Sequence, residues 1–407
     1  MPESNDILTA IPPFSVAALP RILFGEGSIE RLPAELVPFG RRILLITGGQ
    51  SFLAGPHWAR LGRALEAQGL EWEQVGIGGE PSPAQVDAAV RRFMCSSIDM
   101  VVAIGGGSVL DAGKAIAGLL PSGRSVMDHL EGVGPQLPYE GPSLPFIAVP
   151  TTAGTGSEMT KNAVLTQAGA GGFKKSFRDE RLLARLAVID PQLLRSCPAP
   201  VMLGNAMDAL TQLLEAYVST GASVFADALA ESGIKAFAAG FTADPEQPVR
   251  DFSCIAYAAM LSGICLAQAG LGAVHGIAAP LGAWFSIPHG VACGTLVAAV
   301  TRGNVQALRE RAPQSPALRK YARAARLLRG EELRGEELRG EELSDADTLV
   351  ELLESWVGRC RLPSLASFGV AASDLAHIVA ASGGNSMKTN PVVLTRQELR
   401  SILAQRL

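Results

Sequence analysis

The run Met100-Val-Val-Ala-Ile104, followed at once by Gly105-Gly106-Gly107-Ser108, most narrows what this chain can become. Five apolar residues without alternation suit a strand buried on both faces, as in a parallel sheet covered by helices on both sides. The neighbouring pattern agrees. Arg42-Ile-Leu-Leu-Ile-Thr47 reads as a strand ending in a Gly48-Gly49 turn, and Pro145-Phe-Ile-Ala-Val149 reads as another. Helical periodicity runs through 58–68, 84–95 and 111–120. Such alternation predicts an α/β half with a Rossmann-like parallel sheet. After Pro191 strand signals mostly vanish, and Ala/Leu-rich helical patterns run to Leu407. The expected organisation is an α/β domain over 1–194 and an all-helical domain over 195–407, with the boundary near 191–200.

Composition removes several function classes. A chain of 407 residues is long enough for two or three domains and a large core. Its net charge of −4, with no basic block, argues against nucleic acid as a partner. Met1-Pro-Glu-Ser-Asn-Asp lacks the pattern of a signal peptide, and six cysteines without a CxxC pair read as reduced, mostly buried thiols. A cytoplasmic protein is expected. The apolar stretch 261–287 is long enough to raise a membrane span, but Gln268, His275, Pro280 and its glycines favour a buried helix or helix pair. Residues 329–343 repeat Arg-Gly-Glu-Glu-Leu three times, which matches no solenoid period and reads as a solvated insertion between helices.

Two turns carry the first chemistry. Gly105, Gly106, Gly107 and Ser108 lie between an apolar strand and the helix bearing Asp111 and Lys114, where backbone N–H groups and a helix N-terminus attract phosphate. Glycine there also serves any tight turn, so this loop alone decides little. A second loop, Pro150-Thr151-Thr152-Ala-Gly-Thr155-Gly-Ser157-Glu158, also follows a strand and is rich in small hydroxyl side chains. Two such loops on neighbouring strands suit a nucleotide in the crevice at the strand C-termini. In the helical half, two of only five histidines, His275 and His289, fall within or just past the long apolar stretch, and Asp208 opens a helical run upstream. A buried imidazole needs a partner. Each alone reads as a core residue bonded to a carbonyl, but the three together suggest ligands of a metal ion.

These motifs resemble the iron-containing (group III) alcohol dehydrogenases of the dehydroquinate synthase-like superfamily. The resemblance extends from Phe24-Gly-Glu-Gly27 through Gly105–Ser108 and 150–158. It continues over Val188-Ile-Asp-Pro191, Met207-Asp-Ala-Leu-Thr211, Val274-His-Gly-Ile277, Ile287-Pro-His-Gly290 and Asn390-Pro391. It implies an N-terminal nucleotide-binding domain, a helical metal-binding domain, a cleft between them, and a homo-oligomer, dimer or larger. The implied reaction is hydride transfer between NAD(P)(H) and a small alcohol or aldehyde. Asp208, His275 and His289 would be catalytic and would hold Fe²⁺ or Zn²⁺. Gly48, Gly49, Ser51, Gly105–Ser108, Asp111, Thr151, Thr152, Thr155 and Ser157 would hold the cofactor.

Two positions depart from the family. Four residues after Asp208, where a further ligand His is usual, stands Gln212, a poorer and harder donor on the same helix face. Four residues after His275, where many members carry a proton-relaying His, stands Ala279. Three readings remain open: a metal held by Asp208, His275 and His289 with Gln212 or water as fourth ligand; a metal-independent reductase of the maleylacetate reductase type; and a homologue that has lost catalysis. A non-redox, dehydroquinate synthase-like enzyme competes, but 150–290 is poor in the cations its substrate would need. The stretch 46–51 has no acid to repel a 2′-phosphate, which leans the cofactor slightly toward NADP(H). The substrate pocket is expected at Thr151, Lys161, Asn162, Phe173, Lys174, Trp284 and Phe285, with Lys388 a further candidate. Lys161, if it faces the cleft, favours an anionic aldehyde; otherwise a small aliphatic one is the default.

Overall fold

The computed structural model describes residues 11–49, 52–169, 171–331 and 342–407. Ser51 and the repeat residues 332–341 lie outside the described residues. The first half contains β1 (Arg21–Phe24), α1 (Leu32–Leu36), β2 (Arg42–Thr47), α2 (Pro56–Ala67), β3 (Glu71–Gly76), α3 (Pro83–Phe93), β4 (Met100–Gly105), α4 (Gly107–Leu119) and β5 (Phe146–Pro150). A hairpin of β6 (Asn162–Gln167) and β7 (Phe173–Arg178) follows, then β8 (Leu186–Ile189). Six strands form one parallel sheet in the order β1-β8-β5-β4-β2-β3, and β6–β7 pair antiparallel outside it.

The sheet is buried on both faces, as the apolar runs require. Ile43, Leu45, Val102, Ile104, Ile147 and Val149 face α1 and α2, packing on Leu32, Leu36, Leu61 and Leu65. Leu44, Ile46, Val101, Ala103 and Ala148 face the other way, onto Val86 and Val90 of α3 and Leu110 and Ile116 of α4. Alternate side chains of each strand thus feed different cores. Strand β2 pairs with β3 on one side and β4 on the other, so the chain reverses direction across the sheet there. The C-terminal ends of β2 and β4 therefore open a crevice, the place where ligands bind in such sheets.

The helical half follows: α5 (Ala199–Val218), α6 (Val224–Gly240), α7 (Phe252–Ala269), α8 (Ala273–Phe285), α9 (His289–Arg311), α10 (Pro316–Arg329), α11 (Glu342–Arg359), α12 (Leu375–Ala381), α13 (Asn385–Lys388) and α14 (Arg396–Ala404). The stretch 261–287 is a helix pair. α7 ends at Ala269, Gly270 turns the chain at φ 74°, and α8 begins at Ala273. α7 is the one described helix long and apolar enough to cross a membrane, and it packs against both α5 and α6. The cysteines divide: Cys265, Cys293 and Cys360 are buried, Cys197 and Cys254 half-buried, and Cys95 exposed. Cys95 departs from the expectation of burial because it lies just past the end of α3, beyond its packed face.

A buried charge network ties α4 to the second loop. Lys114, fully buried, donates to Asp111 Oδ1 at 3.1 Å, Thr160 Oγ1 at 3.1 Å and the Asn162 carbonyl at 2.5 Å. Burial pushes the Glu158 carboxyl up to about 7, against the pull of Lys114. Above its ordinary value of 4.5 the unfolded chain gives up this proton while the folded one keeps it. Glu158 therefore costs stability progressively as pH rises from about 4.5 to about 7, by roughly 3 kcal/mol in all. Glu158→Gln should remove that part of the pH slope. Denaturant titrations of both proteins across this window should show their stabilities diverging with pH; parallel curves would refute the assignment.

Candidate active site

The turns after β2 and β4 meet over one side chain. Val109, in the first turn of α4, lies against both Gly48 and Gly105, and a Cβ at Gly105 would fall 2.6 Å from it. Strand β5 continues beside β4, so the second loop lies against the first: Thr151 N–H donates to the Gly105 carbonyl at 2.9 Å, Thr152 packs over Gly106, and Thr155 over Gly107. The helix expected from 111 begins at Gly107, so the glycine loop is itself the N-terminus of α4. Gly106 caps it without any side-chain hydrogen bond. Its first N–H groups and positive dipole end are presented to a ligand. Ser157 is occupied otherwise, donating to Asp111 Oδ1 at 2.5 Å.

The second cluster is assembled by close helix crossings. α5 and the start of α9 touch through backbone: a Cβ on Gly290 would collide with the Gly204 carbonyl. One turn beyond Gly204 stands Asp208, and beside Gly290 stands His289. α8 brings His275 in its first turn. Its N-terminus is capped by two side chains, Asn390 Oδ1 accepting from Ala273 N–H at 3.1 Å and Glu215 Oε1 from Val274 N–H at 2.7 Å. The other oxygen of Glu215 holds His275 Nδ1 at 2.6 Å. Glu215 lies seven residues after Asp208 on α5, about two turns, so both face the same way. His275 Nε2 is thereby aimed at Asp208 Oδ1, 3.3 Å away, and His289 Nε2 stands 3.7 Å from the same oxygen.

A fourth donor joins them. Cys293, one turn along α9 from His289, places its sulfur 3.7 Å from His275 Nε2 and 3.8 Å from His289 Nε2. The ligand atoms of Asp208, His275, His289 and Cys293 all lie within 4.8 Å of one another. Asp208 is wholly buried, yet its Oδ1 has no hydrogen-bond partner. Gln212 is turned away from this convergence. Its Oε1 accepts from Ser262 Oγ at 3.1 Å and its Nε2 faces Asp208 Oδ2 at 3.4 Å, so it offers Asp208 a donor.

The electrostatics keep Asp208 ionised although it is buried. Burial would raise the Asp208 carboxyl, but the imidazoles of His289 and His275 outweigh it and hold it at about 2. Burial, helped by Lys174, drives His289 down to about 4 against the pull of Asp208. Burial also works against a charge on His275, yet Cys293, Glu215 and Asp208 hold its pKa well above that of an ordinary imidazole. Lone pairs crowd here, and a proton or a metal ion must balance them. Two imidazoles, a carboxylate and a thiol are also the donor types that bind first-row divalent metals.

One cleft of about 650 Å³ joins both clusters. Its walls include Gly107, Ser108, Asp111, Thr155 and Ser157 on one side and Gln212, His275, Ala279 and His289 on the other. Lys161, Asn162 and Lys174 line it as well, but both lysines are paired, Lys161 with Glu180 at 3.2 Å and Lys174 with Glu80 at 2.7 Å. Trp284 and Phe285, expected in the pocket, are elsewhere. Trp284 stacks on His377 at 4.3 Å and donates to the Gly172 carbonyl, and Phe285 packs with the core of α8, α9 and α12. Nine residues on from His275 is about two and a half helical turns, the opposite face of α8, whereas Ala279 shares the His275 face. Lys388 pairs with Asn385. Glu215 and Cys293 escaped sequence reasoning. Their available signals were spacings, Asp208 to Glu215 at seven and His289 to Cys293 at four.

Comparison with known proteins decides the family. Residues 20–191 match the iron-containing alcohol dehydrogenase family, and 203–407 match the C-terminal part of the Fe-containing alcohol dehydrogenase family. The chain belongs to the iron-containing alcohol dehydrogenases. It is 30% identical over 401 residues to the NAD-dependent methanol dehydrogenase of Bacillus methanolicus, covering 97% of this chain and 98% of that one. It is 32% identical over 286 residues to the lactaldehyde reductase of Escherichia coli (strain K12), covering 69% and 73%. Among solved structures, a 1,3-propanediol oxidoreductase superposes with a TM-score of 0.84 at 26% identity, covering 97% of this chain and 100% of that one. The chain is thus an oxidoreductase acting on CH–OH groups, of a family that works with a nicotinamide cofactor and a divalent metal.

The Gly204–Gly290 contact predicts a specific weakness. Gly290→Ala must push α9 off α5 just where Asp208 and His289 are brought together. The variant should be destabilised by roughly 1–3 kcal/mol. Denaturation midpoints should fall accordingly, and an unchanged midpoint would show that the crossing is not tight.

Proposed function

We propose that this chain is a metal-assisted, NAD(P)-dependent alcohol dehydrogenase or aldehyde reductase for small, uncharged substrates, with Asp208, His275 and His289 holding the divalent cation. The observation that carries the reading is the unpartnered, fully buried Asp208 Oδ1 between two imidazole nitrogens, in the same cleft as the uncapped N-terminus of α4. When bound, the cation polarises a carbonyl oxygen or steadies an alkoxide, and the nicotinamide carries the hydride.

The chain's own residues do the positioning. The N–H groups at Gly107 and Ser108 suit a pyrophosphate, with Gly105 and Gly106 letting backbone approach it and Thr152 and Thr155 closing the loop from behind. Gly48 and Gly49 flank the adenosine side of the crevice. The absence of an acid over 46–51 leaves room for a 2′-phosphate, which leans the preference toward NADP(H). Glu215 fixes the tautomer and direction of His275, and Gln212 steadies Asp208. His275 and His289 both line the cleft, and His289, with 23% of its side chain exposed against 7%, is the more open of the two. Ala279 leaves apolar space beside it where relatives place an imidazole, so proton exchange falls to water or the cofactor ribose. Because Lys161 and Lys174 are already paired, the cleft has no uncommitted ammonium for an anionic substrate, and a small aliphatic alcohol or aldehyde suits it best.

Protein purified without added metal should contain Fe or Zn by elemental analysis. Its oxidation of NADPH and NADH with a panel of small aldehydes should stop on chelation and return with the metal. Full activity in metal-free protein would place the chain with metal-independent reductases instead. Glu215→Gln should keep the fold but lower metal affinity by roughly 10- to 100-fold, read by competition with a chromogenic chelator. Unaltered affinity would mean that Glu215 serves only as the cap of α8.

A further inference from the structure

Resting on the metal-site reading above, we infer that Cys293, and not Gln212, supplies the fourth protein ligand, making an Asp-His-His-Cys site that favours zinc. The argument is geometric. A tetrahedral ion with bonds of about 2.0–2.1 Å to nitrogen and oxygen and about 2.3 Å to sulfur sets its ligand atoms roughly 3.3–3.6 Å apart. Of the six separations among the four donors, four are 3.3 Å from Asp208 to His275, 3.7 Å from Asp208 to His289, and 3.7 and 3.8 Å from the Cys293 sulfur to the two imidazoles, and all six lie within 4.8 Å. Those four are close to the edges of such a tetrahedron.

The bland alternative is a thiol hydrogen-bonded to a neighbour. It accounts poorly for the cluster. A thiol has one weak proton, and the sulfur stands equally close to two imidazole nitrogens, each also directed at Asp208 Oδ1. Asp208 Oδ1 is buried and left without a hydrogen bond by this arrangement. A cation at the centre satisfies all four donors together, and coordination releases the thiol proton to solvent. Gln212 is the poorer candidate, because its amide nitrogen faces Asp208 Oδ2 at 3.4 Å and its oxygen lies toward Ser262 Oγ, 3.1 Å away. Cys293 reaches the centre because it lies one turn from His289 on α9, the i,i+4 spacing that puts two ligands on one helix face. A thiolate in place of the imidazole usual at the Gln212 position shifts the site toward soft-ligand ions, zinc above magnesium or manganese.

Cobalt(II) tests this directly, since it takes zinc sites and reports its ligands optically. The apo full-length protein, loaded with one equivalent of Co²⁺, should show a thiolate-to-cobalt charge-transfer band in the near ultraviolet and the intense visible bands of a four-coordinate ion. Cys293→Ser should lose the charge-transfer band and bind cobalt at least about 10-fold more weakly. Gln212→Ala should keep the band. Cobalt bound by the wild type without the band, with a spectrum unchanged in Cys293→Ser, would overturn the cysteine assignment and leave the metal site standing. Failure of the wild type to bind cobalt at all would overturn both. Because the decisive spectrum is that of the wild type, misfolding of a variant cannot mimic either result.

Discussion

One carboxylate, Glu215, couples the architecture of the helical half to its chemistry. Its two oxygens do different work: one accepts from the first turn of α8 at Val274 and the other holds His275 Nδ1. The N–H groups at the start of a helix need acceptors, and a negative charge there is favoured by the helix dipole. That need places Glu215 at the entry of α8, and Asn390 secures the neighbouring N–H. Once Glu215 is there, the His275 ring cannot turn without losing a bond to a buried charge. Its other nitrogen is therefore committed to the space between Asp208 and Cys293. A capping requirement of the fold and an orienting requirement of the site are met by one side chain.

The same economy joins the two halves. The second glycine-rich loop is pressed onto α7 at a backbone contact, where a Cβ on Gly263 would strike the Gly156 carbonyl. Gly156 itself takes φ 58°, a conformation that glycine adopts freely. Ser262, next to Gly263, places its hydroxyl 2.8 Å from the Ala259 carbonyl, 3.1 Å from the Gln212 amide oxygen and 3.3 Å from the Gly154 carbonyl, with one proton to share among them. A continuous path of short contacts thus runs from the loop at the sheet edge, through α7, to the residue that steadies Asp208. The second glycine-rich loop and the cluster around Asp208 are held in register by packing too tight for a side chain at either glycine.

Sequence reasoning reached the elements whose constraints are local. The strands at 42–47 and 100–105 were legible because a parallel sheet needs unbroken apolar runs, and the loops after them because tight turns beside a ligand need glycine. Asp208, His275 and His289 were legible because polar residues in apolar helices stand out and because the motifs around them resemble a family. What escaped depends on helices from distant parts of the chain meeting. Cys293 looks like any buried thiol until α9 is laid against α8, and Glu215 looks like a surface acid until Val274 and His275 are brought to it. Trp284 and Phe285, expected to line the pocket, lie outside it. Helical phase carries Trp284 to the far side of α8, against His377. The hairpin β6–β7 was missed because Phe173-Lys-Lys-Ser-Phe-Arg178 is a charged edge strand with little apolar alternation.

The two departures from the family pattern need not be separate losses. Replacing an imidazole by Gln212 removes a ligand from α5, and the structure uses the freed position to bond Ser262 and Asp208, which stiffens the helix contact behind the site. On the inference above, the donor deficit would be made up from α9, where Cys293 is more buried than His289. If Cys293 ligates from the rear, a substrate oxygen would join as a fifth ligand from the face toward His289 and Ala279. Ala279 then widens that face with apolar space rather than a second titrating group. The cations that line the cleft are paired, Lys174 with Glu80, Lys161 with Glu180 and Arg178 with Glu131. With Ala279 where many relatives carry an imidazole, the proposed reaction would leave proton exchange to solvent or cofactor hydroxyls.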